Sequence, residues 1–381
     1  MAELRSRCRV CSEPLPGAPR LHYREMPCAA QNFPDDATVA SDRGCDLELF
    51  ECEACGLLQL SGAPVPYYRE VIRATTYSPE MRAFREAQFA DWAQRYGLAG
   101  RRVLEIGCGR GEYLMLLKKA GLDARGLEAG TASLRACRAA GLQVTRGYLT
   151  RRSVMLPGAP FDAFASFNFL EHWPDPVGSL RALMRNLADG AVGLVEVPNV
   201  DMILRQGLFA EFIADHLLYF TEDTLRFTLS RAGFEVLNCR AVWHDYILSA
   251  EVRKRAPLDV GRLEARRVAI TDALHAFIAR FPARQVAVWG AGHQALAMIA
   301  LAGIGAELCY IVDSAPFKQG RFSPASHLPI VAPETLKAEP VQAVIVMAAS
   351  YSDEVAAILR RDHDPSLAVA ILREDGLETV A

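Results

Sequence analysis

Three sets of residues in this chain have types and spacings that can do chemistry. The first is Glu105-x-Gly107-x-Gly109-x-Gly111, which closes the aliphatic run from Val103 and opens a helix-forming stretch at Glu112. Glycines at alternate positions let the backbone approach a ligand with no Cβ in the way, and a helix start offers unpaired N–H groups. Glu128, 17 positions past Gly111, ends the next strand-like run, where an acid can accept hydrogen bonds from ribose hydroxyls. The second set is histidine. His216 follows Asp215 in an apolar-aromatic run at 209–220, and a histidine beside a carboxylate is poised for proton transfer, though a structural hydrogen bond to backbone would explain it as well. His172 stands in the turn Asn168-Phe169-Leu170-Glu171-His172-Trp173-Pro174-Asp175-Pro176, either near a ligand or as a capping or packing residue. The third set is the pair of knuckles Cys8-x-x-Cys11 and Cys52-x-x-Cys55. Two such pairs place four thiolates for a tetrahedral, structural zinc with no open position; Cys45 or His22 could replace one ligand, and a redox pair would not need a second copy.

The elements that must position these groups alternate. Residues 101–106, 123–128, 142–146, 161–167, 191–197 and 234–240 read as strands, and 111–120, 131–140, 176–187 and 222–232 as helices. That is a doubly wound α/β pattern, and it puts the turn at 168–176 at the carboxyl end of a strand, where such sheets bind ligands. A helix is expected at 79–96, with Tyr77 leading into it, and a charged linking helix at 251–281. A second βαβ unit starts at Val286, with Gly290-Ala291-Gly292 and then Asp313 21 positions past Gly292. Formally this is a dinucleotide fingerprint, although NAD chemistry is not expected from one match.

With 381 residues the chain exceeds one ordinary core. Its 42 basic and 45 acidic residues give a net charge of −3, which argues against a broad nucleic-acid footprint. The first residues lack the apolar core of a signal peptide, and no run is long enough to span a bilayer, so a cytoplasmic location and no membrane partner are expected.

The glycine loop and the acid at Glu128 closely resemble those of class I S-adenosylmethionine (SAM) methyltransferases. The resemblance implies SAM held by Glu105, Gly107, Gly109, Gly111, Glu128 and Asn168, with Glu128 on the ribose. The chain as a whole resembles the bacterial C-methyltransferases of deoxysugar biosynthesis, which methylate nucleotide-linked 4-keto sugars at C3. The marks are the cysteine knuckles ending in Cys55-Gly-Leu-Leu-Gln-Leu60, the SAM loop, Glu171-His172, Asp215-His-Leu-Leu-Tyr-Phe220, and the stretches at 312–321 and 328–330. The expected architecture is α/β: a zinc-binding lobe at 1–75, a central class I methyltransferase Rossmann-like domain at 76–250, and a C-terminal Rossmann-like substrate-binding domain at 251–381. The family mechanism implies that His216 removes the proton alpha to the sugar ketone, that Asp215 orients or tunes it, and that His172 and Tyr77 contact the sugar or stabilise the enolate oxygen. The chain departs from the family pattern at Ile213, at 290–295, where a lysine is missing, and at 348–351. Methyl transfer to oxygen or nitrogen of a sugar or secondary metabolite is the competing expectation. The oligomeric state is left open.

Overall fold

The computed structural model describes residues 7–31, 33–70, 78–152 and 155–380. They form two compact units, Met1–Ala256 and Pro257–Ala381.

In the first unit, β1 (Leu21–Met26), β2 (Cys45–Glu51) and β3 (Leu58–Leu60) are followed by α1 (Pro79–Arg95), whose start is set by Pro79 and by the Ser78 side chain accepting the Met81 N–H. Then come β4 (Arg102–Ile106), α2 (Glu112–Lys119), β5 (Asp123–Glu128), α3 (Thr131–Ala139), β6 (Val144–Arg146), β7 (Phe161–Phe167), α4 (Pro176–Met184) and β8 (Leu187–Pro198). The chain ends this unit with α5 (Val200–Gln206), β9 (Leu218–Tyr219), α6 (Glu222–Ala232), β10 (Phe234–Val242) and β11 (Ile247–Lys254). Seven strands make one sheet in the order β10-β11-β8-β7-β4-β5-β6, with β11 antiparallel to both neighbours. Residues of the parallel strands are apolar on both faces, as burial between helices requires. Leu104, Phe164 and Val195 face one core with α4 and α6, while Val103, Ala165 and Leu194 face another with Phe89 and Trp92 of α1 and Leu114 and Leu117 of α2.

The order reverses between β4 and β7, so the glycine loop after β4 and the turn after β7 flank one switch point. The N-terminal lobe is built on a second sheet, β1-β2-β3-β9, whose last strand comes from the segment after β8: Leu58 pairs with Tyr219 and Gln59 with Leu218. The expected linking helix at 251–281 is corrected. Residues through Arg253 pair with β8 as part of β11, which ends at Lys254, because alternating apolar residues at 248, 250 and 252 pack on the core, and the helix starts only at Gly261.

The second unit opens with that helix, α7 (Gly261–Ile278), followed by β12 (Val286–Trp289), α8 (His293–Ala302), β13 (Ile311–Val312), β14 (Arg321–Phe322) and β15 (Pro329–Val331). It closes with α9 (Thr335–Ala338), β16 (Ala343–Val346), α10 (Ser352–Asp362), β17 (Ala368–Arg373) and β18 (Gly376–Val380). Its sheet runs β14-β15-β13-β12-β16-β17-β18, parallel except at the two edge strands. Among the described residues, no helix is long and apolar enough to cross a membrane.

Candidate active site

The turn from β4 into α2 needs its glycines for two reasons. Gly107, Gly109 and Gly111 have φ of +67°, +56° and +91°, the left-handed region that side chains disfavour. A Cβ at Gly107 would also lie 2.5 Å from the Phe169 ring, and one at Gly111 2.3 Å from Leu142 Cδ1. The turn is thus pressed against Phe169 of the β7 turn on one side and Leu142 on the other. Glu128, at the end of β5, accepts the Gly109 N–H at 2.9 Å through Oε2 and the Gly130 N–H at 2.7 Å through Oε1. Glu105 is wholly buried near the end of β4. The loop, Glu105 and Glu128 therefore meet at the ends of adjacent parallel strands, a cradle shaped by the absence of side chains and suited to a nucleoside ligand such as SAM.

Across Phe169 lies the histidine pair. Asn168 leaves β7 with φ of +48° and donates its N–H to Glu196 O at 2.8 Å, and a 3-10 turn over Leu170–His172 follows. His172 Nδ1 lies 2.7 Å from the backbone oxygen of Asp215. A carbonyl only accepts, so Nδ1 carries the proton and Nε2 keeps the lone pair, 3.9 Å from Glu171 Oε1. The His216 ring stands edge-on to that of His172, with centroids 4.8 Å apart. Burial pushes His172 down to about 4, partly opposed by its hydrogen bond to Asp215, and pushes His216 well below its usual value, with His172 adding to the effect. Both rings are neutral at neutral pH. They wall a cavity of about 330 Å³ together with Asn168, Glu171, Asp215, Ile213 and Tyr246.

The Asp215 carboxylate is not turned toward His216. Oδ2 accepts the Ala30 N–H at 2.8 Å and Oδ1 accepts the Tyr67 hydroxyl at 2.9 Å, so the side chain ties the N-terminal lobe to the cavity while its backbone oxygen orients His172. Burial, then Asp215, pushes the Tyr67 phenol up to about 12, which keeps it a donor. Tyr77, one of the residues singled out in the sequence, lies outside the described residues.

Reading the sequence missed Tyr67 and Ala30, and also Arg85. The Arg85 guanidinium is fully buried on α1, pairs with Glu196 and Gln88, stacks on Tyr113 with 4.8 Å to the ring centroid, and lines the same cavity. The available signal was a charge at 85 on the buried stripe of α1 that continues through Phe89, Trp92 and Ala93.

The four knuckle cysteines converge. Cys8 and Cys55 sulfurs are 3.6 Å apart, those of Cys11 and Cys52 are 3.4 Å apart, and all four lie within 4.8 Å of one another. Tetrahedral bonds of about 2.3 Å to zinc would place sulfurs roughly 3.8 Å apart, and a disulfide needs about 2.05 Å, so the donor set fits a metal. Burial pushes the Cys11 thiol up to about 11, while the contact between Cys8 and Cys55 raises Cys55 and lowers Cys8 to about 5; four thiolates this close would repel one another without a cation between them. Cys45 and His22 are not in this group.

In the C-terminal unit, Gly290 has φ of +118° and a Cβ there would lie 2.6 Å from Met347 O. Asp313, at the position of a ribose-binding acid, accepts Ala291 N–H, Ala315 N–H and Lys318 Nζ at 2.8, 2.9 and 2.9 Å. Its carboxylate is engaged by its own chain. A cavity of about 520 Å³ lies beside it, lined by Gly290, His293, Lys318 and Tyr351 among others.

Residues 81–238 match the family model described as methyltransferase domain, and residues 261–366 match the one described as C-methyltransferase C-terminal domain. The chain is 32% identical over 131 residues to the ubiquinone biosynthesis O-methyltransferase of Pseudomonas aeruginosa strain UCBPP-PA14, covering 33% of this chain and 55% of that protein. It is 34% identical over 128 residues to the protein of the same name from Methylococcus capsulatus strain Bath, covering 32% and 52%. The chain thus spans about half the length of these curated relatives. Among solved structures, a SAM-dependent methyltransferase from Clostridium acetobutylicum ATCC 824 is 13% identical with a TM-score of 0.39, covering 50% of this chain and 96% of that one. A SAM-dependent methyltransferase from Archaeoglobus fulgidus is 20% identical with a TM-score of 0.37, covering 45% and 94%. Two successive stretches of the chain thus match methyltransferase models, the first over the doubly wound sheet that carries the glycine loop and the second over the C-terminal unit.

Proposed function

We propose that this chain methylates carbon alpha to the carbonyl of a nucleotide-linked keto sugar or a related metabolite, with His216 as the base that generates the enolate. The observation that carries this reading is a neutral, half-buried imidazole on the wall of a cavity next to the glycine loop. A neutral ring has the lone pair that proton abstraction needs, and the negative charge developing on an enolate beside it would offset the burial that disfavours its protonated form. His172, with its proton committed to Asp215, offers Nε2 as an acceptor, which suits a substrate hydroxyl better than an enolate oxygen. Asp215 acts by position: its carboxylate secures Tyr67 and Ala30, and its carbonyl fixes the His172 tautomer. The glycine loop, Glu105, Glu128 and Asn168 are the groups proposed to hold SAM, which when bound supplies a methyl group on a sulfonium. Cys8, Cys11, Cys52 and Cys55 are proposed to hold a structural zinc. The cavity beside Asp313 is the place in the C-terminal domain where a substrate's nucleotide would find polar groups.

Methyl transfer to oxygen is the second reading, supported by the names of the curated relatives over about a third of this chain. Both are separated by incubating the protein with nucleotide-linked keto sugars in deuterated water without SAM, then with it. Wash-in of deuterium at the alpha carbon, lost at least about 100-fold in His216→Asn, followed by a new C–CH3 group, is the expected result. A methyl ether formed with no wash-in would overturn carbon methylation.

A further inference from the structure

We propose that Glu171, His172 and His216 form a second metal site, of nitrogen and oxygen donors, whose occupation by a divalent transition-metal ion blocks the cavity. One carboxylate oxygen and one ring nitrogen from each histidine lie within 4.8 Å of one another. Sites of this kind need donors about 3.3 to 3.6 Å apart around an ion held at about 2.0 to 2.2 Å, so the three groups must close by roughly 1 Å, which small rotations of the Glu171 and histidine side chains can supply. Three independent features of the structure prepare them. His172 gives its Nδ1 proton to a backbone carbonyl, the outer contact that fixes a ligating histidine with Nε2 outward, and Nε2 faces Glu171. The two imidazole rings lie edge-on with centroids 4.8 Å apart, close enough for one nitrogen of each to reach a shared ion. All three residues line a cavity of about 330 Å³, which supplies both an entry path and room for water on the remaining coordination positions.

Two imidazoles and one carboxylate select zinc, cobalt, nickel or iron(II) over magnesium or calcium, which favour all-oxygen shells. The site differs in kind from the four-sulfur cluster, so the two can be told apart by spectroscopy. The inhibitory consequence rests on the reading of His216 as base: an ion bound to its ring takes the lone pair that would accept the substrate proton. Binding itself does not rest on that reading.

The test uses the full chain carrying one tightly held zinc per molecule, checked by elemental mass spectrometry, and cobalt(II) chloride as the probe. The expected result is one additional cobalt per chain. It should show visible ligand-field bands and no thiolate-to-cobalt charge-transfer band. Affinity should fall roughly 100-fold in Glu171→Gln and in His216→Asn. Glu171→Gln keeps the side chain's volume and His216→Asn leaves a smaller polar group, and retention of the single zinc together with an unchanged circular-dichroism spectrum certifies the fold of both. Cobalt that binds only with a thiolate charge-transfer band, or with equal affinity in both variants, overturns the proposal. So does the absence of a second equivalent. With a methyl acceptor in hand, zinc above one equivalent should suppress deuterium wash-in, and a chelator that leaves the cysteine cluster loaded should restore it. Suppression missing while cobalt still binds would count against His216 as base and leave the metal site standing.

Discussion

At the scale of single residues, the cavity is set by contacts that fix atoms to within a few tenths of an ångström. Gly107 and Gly109 both adopt positive φ, yet a Cβ at Gly107 would strike the Phe169 ring while one at Gly109 would meet only Glu112 Oε2, at 4.0 Å. Gly109→Ala should therefore pay only the backbone penalty of about 1 to 2 kcal/mol. Gly107→Ala should lose more in urea denaturation and weaken SAM binding further in calorimetry. Phe169→Leu, which shortens the opposing side chain, should recover part of the Gly107→Ala loss and none of the Gly109→Ala loss. Equal losses at the two glycines, or no recovery, would show that the Phe169 contact does not shape the loop. The glycines themselves were readable because the pattern Glu-x-Gly-x-Gly-x-Gly is local. What they press against was not, since Phe169 lies 62 positions away in the chain.

At the scale of elements, β11 shows where sequence patterns stop being informative, whereas α1 runs Pro79–Arg95 within the helix expected at 79–96. Alternation in β11 is obscured by Glu251, Arg253 and Lys254, and the mixed charge there reads equally well as an exposed helix. The structure resolves it through one contact: Glu251 accepts from Arg95 Nη1 at 2.6 Å, Arg95 Nη2 at 2.8 Å and the Tyr96 hydroxyl at 2.7 Å, joining the end of α1 to the middle of the strand. Burial works to raise the Glu251 carboxyl, but the bonds from Arg95 and Tyr96 prevail and hold it below its usual value. A carboxylate depressed in the folded state contributes stability above its unfolded pKa of about 4.3, and that contribution is lost as pH falls through the folded value. Glu251→Gln should accordingly lower stability at pH 7 by on the order of 1 kcal/mol, a figure reduced for the solvent around Arg95. The gap between variant and parent urea midpoints should narrow at pH 3. A gap that is the same at both pH values would mean the residue acts by packing alone. β9, with two residues, falls below what periodicity can detect, and so does its pairing with β3 across about 160 positions.

At the scale of the molecule, the first unit joins its parts through the chain segment that carries His216. Ala30 and Tyr67 reach Asp215, Arg231 donates to the carbonyls of Val10 and Cys11, and the Leu217 N–H reaches Glu171 O. Cys8, Val10, Cys52 and Leu57 pack in the same apolar cluster as Phe220, Leu225 and the strands of the large sheet. Stripping the proposed zinc from the cysteine cluster with a strong chelator under reducing conditions should therefore lower deuterium wash-in at the candidate active site, and readdition of one zinc should restore it. Full wash-in by the zinc-free protein would separate the cluster from the chemistry.

The strand pairing of β9 also bears on how this protein could be divided. A fragment begun at residue 76 would keep Leu218 and Tyr219 but lose all three other strands of their sheet. It would expose Phe212, Met202 and Ile203, which now face Leu47, Leu49, Leu58 and Leu60. An unpaired strand edge beside a bared apolar face invites self-association. Expressed without its first 75 residues, this methyltransferase domain should collect in aggregates, and the smallest soluble catalytic fragment should begin ahead of Cys8.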